Sequence, residues 1–232
     1  MSAFDRETYD ELYRSAPALW SGRPNRQLVV EADGLPPGRA LDAGSGEGGD
    51  ALWLAGRGWQ VSAVDFSAVA LERATAQAHE RGLGERIEWL HADLDTWTPP
   101  AGRFDLVTAH YLHARWTDRP ALFRRLAAAV APGGTLLVVG HLLVEDHGDH
   151  EAHGHHGQHG HHGHGAGGGH GQLHERDPEA FYTAEEVAAL LEPGQWHDVV
   201  TETRERDPQA AGRTGNAVPD TVLRARRRSG AR

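Results

Sequence analysis

At 232 residues, 39% of them hydrophobic and 24% charged, the chain is long enough for one domain with a substantial core, and its composition is neither fibrous nor wholly disordered. It has no cysteine, and all 23 basic side chains are arginine, which excludes a disulfide framework, thiolate metal sites, cysteine nucleophiles, Schiff-base lysines and a P-loop lysine. The net charge of −10 argues against general binding to nucleic acid, and the one basic cluster (Arg224, Arg226, Arg227, Arg228, Arg232) reads as a solvated strand end and tail.

Residues 1–37 are expected to form an N-terminal helical segment. Between about residues 38 and 140 apolar runs alternate with helical patterns, the mark of βαβ units and a parallel sheet covered by helices. The first strand is expected at Arg39 to Ala43, a helix over Ala51 to Arg57 ended by Gly58, and the second strand at Gln60 to Val64. Ser67 caps a helix to about Arg81, Ile87 to His91 is the third strand, and Phe104 to Ala109 is a fourth, apolar enough for burial on both faces. Asp118 starts a helix with Pro120 in its first turn, where proline is tolerated, and this helix runs to about Val130. The Pro132-Gly133-Gly134 turn then reverses the chain into a fifth strand, Thr135 to Gly140. Thr183 and Glu186 have capping-box spacing for a helix through Leu191, and β-like segments near His197 to Arg204 and Asp220 to Arg226 close the chain.

One segment interrupts this order. From His147 to His174 there are eleven histidines among 28 residues, interleaved with glycine and nearly devoid of apolar side chains. Such a composition buries too little surface to offset the entropy of ordering it, so residues 145–176 are expected to be a disordered insertion between a core at 38–144 and a C-terminal part at 177–232. Neutral imidazoles at His153, His155, His156, His159, His161, His162 and His164 have the chemistry to bind nickel, zinc, copper or cobalt as a flexible, non-catalytic tract.

The sharpest motif is Asp42-Ala43-Gly44-Ser45-Gly46-Glu47-Gly48-Gly49, placed where the first strand gives way to a helix. Glycines there let the backbone approach a ligand, and the helix start offers unpaired N–H groups to it. The spacing fits both G-x-G-x-x-G and G-x-G-x-G. Asp65, 21 positions after Gly44 at the end of the second strand, suits the hydroxyls of a ribose in either case. Two features favour S-adenosylmethionine over a dinucleotide. Asp42 within the strand needs a cationic or hydrogen-bonding partner, such as an amino-acid ammonium, and Asp93-Leu94 at the end of the third strand offers a carboxylate and an apolar neighbour to an adenine.

This ordered series, Asp42 to Gly48, Asp65, Asp93 and the Leu126 to Gly134 stretch, resembles the motifs of class I S-adenosylmethionine-dependent methyltransferases over roughly residues 36–142. The resemblance implies an α/β, Rossmann-like, seven-stranded sheet, mostly parallel with an antiparallel last strand and helices on both faces. It implies that Gly44, Ser45 and Gly46 pass under the methionine part of the cofactor. Asp65 would hold the ribose, Phe66 and Leu94 would sandwich the adenine, and Asp93 would bind its amino group. The segment Trp20-Ser21-Gly22-Arg23-Pro24-Asn25, followed by a short helix and Leu35-Pro36-Pro37-Gly38, is similar to the N-terminal part of tellurite-resistance and thiopurine-type methyltransferases, where it lies over the cofactor. Trp20 would then belong to a lid.

The reactive face is expected at the carboxyl ends of the strands. After the fourth strand it carries His110, Tyr111 and His113, with Arg115 and Trp116 beyond, and after the fifth it carries His141. His110 and Tyr111 are the candidate catalytic residues, His110 also borders the cofactor, and His113, Trp116 and His141 are candidates for the substrate pocket. The expected reaction is in-line methyl transfer to a small molecule with a soft or activated nucleophile, for which alignment and exclusion of water can suffice. The alternatives are a metal-buffering protein on a Rossmann-like domain and a nicotinamide-dependent oxidoreductase. No run approaches the roughly 18 apolar residues of a membrane helix and residues 1–14 lack a signal peptide's apolar stretch, so a cytoplasmic protein without a membrane partner is expected.

Overall fold

A parallel strand pair needs a crossover, and the crossovers of this chain are the helices read from its periodicity. The computed structural model describes residues 6–15, 18–19, 21–113, 116–142, 178–205 and 219–230. In chain order the elements are α1 (Arg6–Ser15), α2 (Arg26–Ala32), β1 (Arg39–Ala43), α3 (Gly49–Gly56), β2 (Gln60–Asp65), α4 (Ala68–Glu80), β3 (Ile87–His91) and β4 (Phe104–His110). They continue with α5 (Arg119–Ala129), β5 (Val130–His141), α6 (Ala184–Ala188), β6 (Trp196–Arg204) and β7 (Asp220–Arg227). The seven strands form one sheet in the order β3-β2-β1-β4-β5-β7-β6. β1 to β5 pair in parallel, while β7 runs antiparallel to both β5 and β6 and so opposes the other six.

The side-chain period of two sorts the core into two faces. Leu41, Ala43, Val107, Ala109, Leu136 and Val138 pack with Leu122, Phe123 and Leu126 of α5 and Val187 of α6. Ala40, Ala63, Leu106, Leu137 and Val139 pack on the other face with Leu28 of α2 and Ala51, Leu52, Leu54 and Ala55 of α3. Burial on both faces explains the unbroken apolar runs of β4 and β5.

The helix starts follow local chemistry. Ser67 Oγ accepts the Ala70 N–H, Asp118 accepts the Ala121 N–H, and Thr183 and Glu186 form the expected reciprocal box. The last helix is shorter than its pattern, ending at Ala188 with turns to follow. One expectation changes: Pro132-Gly133-Gly134 does not precede the fifth strand but interrupts it. Val130 already pairs with Phe104, the register shifts, and pairing resumes at Leu106 with Thr135, so the turn is a bulge inside β5, made possible by Gly133 at φ +83°. The sheet order reverses between β1 and β4, and this puts a crevice at their carboxyl ends.

Candidate active site

The loop between β1 and α3 lies at that crevice. Gly44, Gly46 and Gly48 take φ values of +75°, +51° and +80°, a region that L side chains rarely occupy. A Cβ at Gly48 would stand 2.6 Å from the Trp89 ring, and one at Gly44 would overlap the Leu112 side chain. The Gly44 and Ser45 N–H groups donate to the Val64 carbonyl at 2.8 and 3.0 Å, which ties the loop to the end of β2.

Asp65 completes that tie. One carboxylate oxygen accepts the Gly46 N–H and the other the Ser67 N–H, both at 2.8 Å. Burial pushes its carboxyl above the usual range, with the two backbone donors pulling the other way. Phe66 is half-buried and its carbonyl meets His91 Nε2 at 2.9 Å. Asp93 accepts the Asp95 N–H at 2.9 Å, and Leu94 is packed into the core beside Leu112.

Asp42, Thr108 and His110 share the α3 face of the sheet. Asp42 is opposite Thr108 in the register, His110 is two residues further along β4, and the period of two puts it on the same side, level with Gly44. Thr108 Oγ1 donates to Asp42 Oδ1 at 3.0 Å. His110 Nδ1 meets Asp50 Oδ2 at 2.7 Å, and the other oxygen of Asp50 accepts the Asn25 N–H at 2.5 Å. Burial first, then the negative charge of Asp50, pushes the Asp42 carboxyl up to about 7, while His110 and the Thr108 hydroxyl oppose the shift. Among the described residues, four buried polar atoms around this loop have no hydrogen-bond partner: Asn25 Nδ2, Asp42 Oδ2, Ser45 Oγ and His110 Nε2. Unsatisfied buried groups are costly, and a cluster of them around a glycine loop fits a polar ligand group. This set suits the amino-acid end of S-adenosylmethionine, because Asp42 offers an acceptor to an ammonium, and Asn25 Nδ2 and Ser45 Oγ offer donors to a carboxylate.

The N-terminal segment lies against the same loop. Glu47, although 5% exposed, accepts the Leu19 N–H at 3.0 Å and pairs with Arg73 at 2.8 Å, and Arg73 reaches on to the Tyr13 carbonyl at 2.6 Å. A Cβ at Gly49 would stand 2.7 Å from the Arg23 carbonyl oxygen. Asp10 of α1 accepts a hydrogen bond from Ser67. Trp20 itself, Arg115 and the whole histidine tract, including His153, His155, His156, His159, His161, His162 and His164, lie outside the described residues. Among the described residues no group of three His, Cys, Asp or Glu is placed to hold a metal ion.

At the carboxyl ends of β4 and β5, three rings form a stack. His141 lies 4.3 Å from Tyr111 and 4.9 Å from His113 between ring centroids, at interplanar angles of 29° and 19°. His113 Nε2 accepts the His141 N–H at 3.0 Å and its Nδ1 lies 3.4 Å from the Ala180 carbonyl, so this ring is a fixed wall with its proton on Nδ1. Phe181 and Tyr182 pack on His113 at 4.9 and 5.6 Å. Burial raises the Tyr182 phenol well above its ordinary range and its hydroxyl donates to the Val139 carbonyl, so it is a structural hydroxyl. Trp116 donates its indole N–H to the Leu112 carbonyl at 3.1 Å and packs against the core.

Thus the structure brings Asp42, Gly44, Ser45, Gly46, Gly48, Asp65 and His110 to one loop, and Tyr111, His113 and His141 to one stack. Sequence reasoning missed Asp50, Arg73 and Asp220, and it named Asn25 and Glu47 only as members of motifs. Asp50 follows the glycine run directly and had a legible signal as an acid in the first turn of a helix. Asp220 had none: it begins the last strand, is 2% exposed, and accepts the Tyr111 hydroxyl at 3.1 Å and the Gln27 amide at 3.3 Å.

Residues 40–134 match the family of methyltransferase domains. A ribosomal RNA small subunit methyltransferase C of Alcanivorax borkumensis is 38% identical over 113 residues, covering 45% of this chain and 33% of that protein. A probable thiol methyltransferase 2 of Arabidopsis thaliana is 29% identical over 136 residues, covering 56% of this chain and 60% of that protein. In each case the chain spans less than two thirds of its relative. The fold as a whole is similar to that of a phosphoethanolamine N-methyltransferase 2 of Haemonchus contortus, with a TM-score of 0.64 at 16% identity over 97% of this chain and 58% of that one. It is equally similar, at TM-score 0.64 and 24% identity over 97% of this chain and 92% of that one, to a structure described with the conversion of a disulfide bond into a thioacetal group during echinomycin biosynthesis. No described helix is long and apolar enough to cross a membrane. Residues 40–134 therefore match a methyltransferase domain, and the seven-stranded sheet that contains them has the same fold as these two structures.

Proposed function

We propose that this chain transfers a methyl group from S-adenosylmethionine to a small molecule bearing a soft nucleophile, such as a thiol, selenide or telluride. The observation that carries this reading is the stack of Tyr111, His141 and His113 at the carboxyl edge, in which His113 has both ring nitrogens engaged. Such a wall would align an acceptor and exclude water, which suits a nucleophile that is already ionised. S-adenosylmethionine, when bound, supplies an electrophilic sulfonium methyl that the acceptor's lone pair takes in line.

Around that reaction Asp65 would bind the ribose, Phe66, Asp93 and Leu94 the adenine, and Gly44, Ser45 and Gly46 the methionine chain. His110 stands on the cofactor side, level with Gly44, and this argues for a binding role rather than that of an acceptor base. The net charge of −10 disfavours an RNA acceptor. Two arginines of the basic cluster are also engaged within the fold, Arg224 with Glu31 and Arg227 with the Val130 carbonyl.

The test is a screen of thiols, tellurite, selenite, amines, phenols and transfer RNA with release of S-adenosylhomocysteine as the common readout. Turnover with thiols or the chalcogen oxyanions under reducing conditions is the expected result. Turnover confined to RNA, or to amines and phenols, would overturn the soft-nucleophile assignment.

A further inference from the structure

Ahead of α6 lies a short 3-10 turn, Pro178–Ala180, and the backbone carbonyls at its end are shared between two side chains. Arg119, the first residue of α5, donates from Nη1 to the Glu179 carbonyl at 2.6 Å and to the Phe181 carbonyl at 2.7 Å. The carbonyl between these two, that of Ala180, goes instead to His113 Nδ1 at 3.4 Å. His113 Nε2 in turn accepts the His141 N–H at 3.0 Å, so one series of bonds runs from α5 through residues 179–181 to the last residue of β5. Its middle is closed to solvent, with Ala180 0% and His113 2% exposed. Tyr182 and Ala184 seat the next residues through the Val139 carbonyl and Thr221 Oγ1, but neither holds the carbonyls of 179–181.

A neutral imidazole has one proton for two nitrogens, and the bond made by one nitrogen sets the state of the other. The Ala180 carbonyl requires a donor and the His141 N–H an acceptor, so only the Nδ1–H tautomer satisfies both. That tautomer survives only while the Ala180 carbonyl keeps its direction. Arg119 holds the carbonyls on either side of it with charge-assisted bonds from a planar guanidinium, and local chemistry fixes Arg119 itself, since Asp118 caps α5 and Pro120 sits in its first turn.

We infer that Arg119 is a positioning residue of the acceptor wall, which by orienting the Ala180 carbonyl keeps His113 in its Nδ1–H tautomer and so fixes the His113, His141 and Tyr111 stack. The inference rests on the proposed function for the acceptor's place beside that stack. Arg119 itself touches neither acceptor nor cofactor. Its effect passes through His113, and a misplacement of about 1 Å far from the chemistry suffices to cost about 100-fold in rate.

Two readouts on the full chain test this. In nitrogen-15 NMR at about pH 8, where an ordinary imidazole is neutral, the His113 ring is assigned by difference from His113→Gln. The wild type is expected to show the Nδ1–H tautomer, Arg119→Met a mixture of both, and Arg119→Lys, which keeps one charged donor, mainly the Nδ1–H form. In turnover with 2-mercaptoethanol, or with the acceptor that the screen favours, Arg119→Met should raise the acceptor KM about 10-fold or more, the lower end for hydrogen bonds to a charged group, and lower kcat less. S-adenosylhomocysteine affinity by calorimetry should stay within about twofold, and Arg119→Lys should recover most of the acceptor KM. Either an unchanged tautomer or an unchanged acceptor KM in Arg119→Met would overturn the inference. So would a parallel loss of S-adenosylhomocysteine affinity, acceptor KM and melting temperature in both variants, which would make Arg119 merely structural. A wild type that methylates only amines, phenols or RNA would instead overturn the soft-nucleophile reading, while a tautomer and acceptor KM that still respond to Arg119→Met would uphold the positioning role.

Discussion

Tyr111, the first residue after β4, holds a left-handed backbone at φ +53° while its hydroxyl donates to Asp220 at 3.1 Å. A bulky residue rarely stays in that region unless its surroundings hold it. Here the holders are the Asp220 carboxylate at the start of β7, the His141 ring stacked at 4.3 Å, and the Tyr111 N–H bonded to the Val139 carbonyl at 2.7 Å. The ring stack at the carboxyl edge of the sheet is therefore braced by the strand farthest along the chain.

This brace has a measurable strength. Tyr111→Phe deprives a buried carboxylate of a donor and should cost about 1.5 to 3 kcal/mol in urea unfolding, the range for hydrogen bonds to charged groups. In a double-mutant cycle with Asp220→Asn, a coupling energy near zero would show that the two side chains do not depend on each other.

Asp65 should prove less tolerant than a ribose ligand alone would be. Both of its oxygens already accept backbone N–H groups, from Gly46 and Ser67. Asp65→Asn would turn an amide NH2 toward one of those donors, so it should lower stability by about 1 to 3 kcal/mol as well as weaken S-adenosylhomocysteine binding. A variant with a wild-type melting temperature and unchanged cofactor affinity would remove Asp65 from both roles.

The Asp42 carboxyl, raised to about 7 from an ordinary 3.8, makes the ligand-free protein less stable as pH rises. Between those two values the folded state binds a proton that the unfolded chain has lost, so stability is fully present below pH 4 and declines until the folded group ionises near pH 7. Asp42→Asn removes the decline. Its melting temperature should match the wild type at pH 4 and exceed it at pH 8, by an amount equivalent to at most about 4 kcal/mol at roughly 1.4 kcal/mol per pKa unit. A constant difference at all pH values would dissociate Asp42 from the effect.

Arg73 fastens the N-terminal segment through Glu47 and the Tyr13 carbonyl. Arg73→Leu should speed amide exchange and proteolysis over residues 10–25 by about tenfold or more while the sheet keeps its protection, because the latch lies outside the two core clusters. Uniform loss of protection across β1 and β4 would place Arg73 in the core's own stability instead.

Much of this fold was legible because its signals are local. Strand β1, the cap at Ser67, the proline start of α5 and the Thr183–Glu186 box each depend on residues within a few positions of one another. The glycine run with Asp42 and Asp65 was legible for a similar reason, since the turn needs glycine and the strand ends set the spacing. The bulge in β5 was not, because a Pro-Gly-Gly turn that starts a strand and one that interrupts it differ only in whether Val130 finds Phe104 across the sheet.

The site divides along the same line. By itself the sequence determined the βαβ core, the glycine loop that follows β1 and the acids Asp42 and Asp65 at or near the ends of the first two strands. Only the tertiary structure decided which side chains complete the loop, because those come from distant segments: Asn25 meets Asp50 across 25 positions, His110 meets Asp50 across 60, and Tyr111 meets Asp220 across 109. A buried carboxylate is specified by the donors that surround it, and those donors are chosen by sheet order and register, which no local pattern encodes.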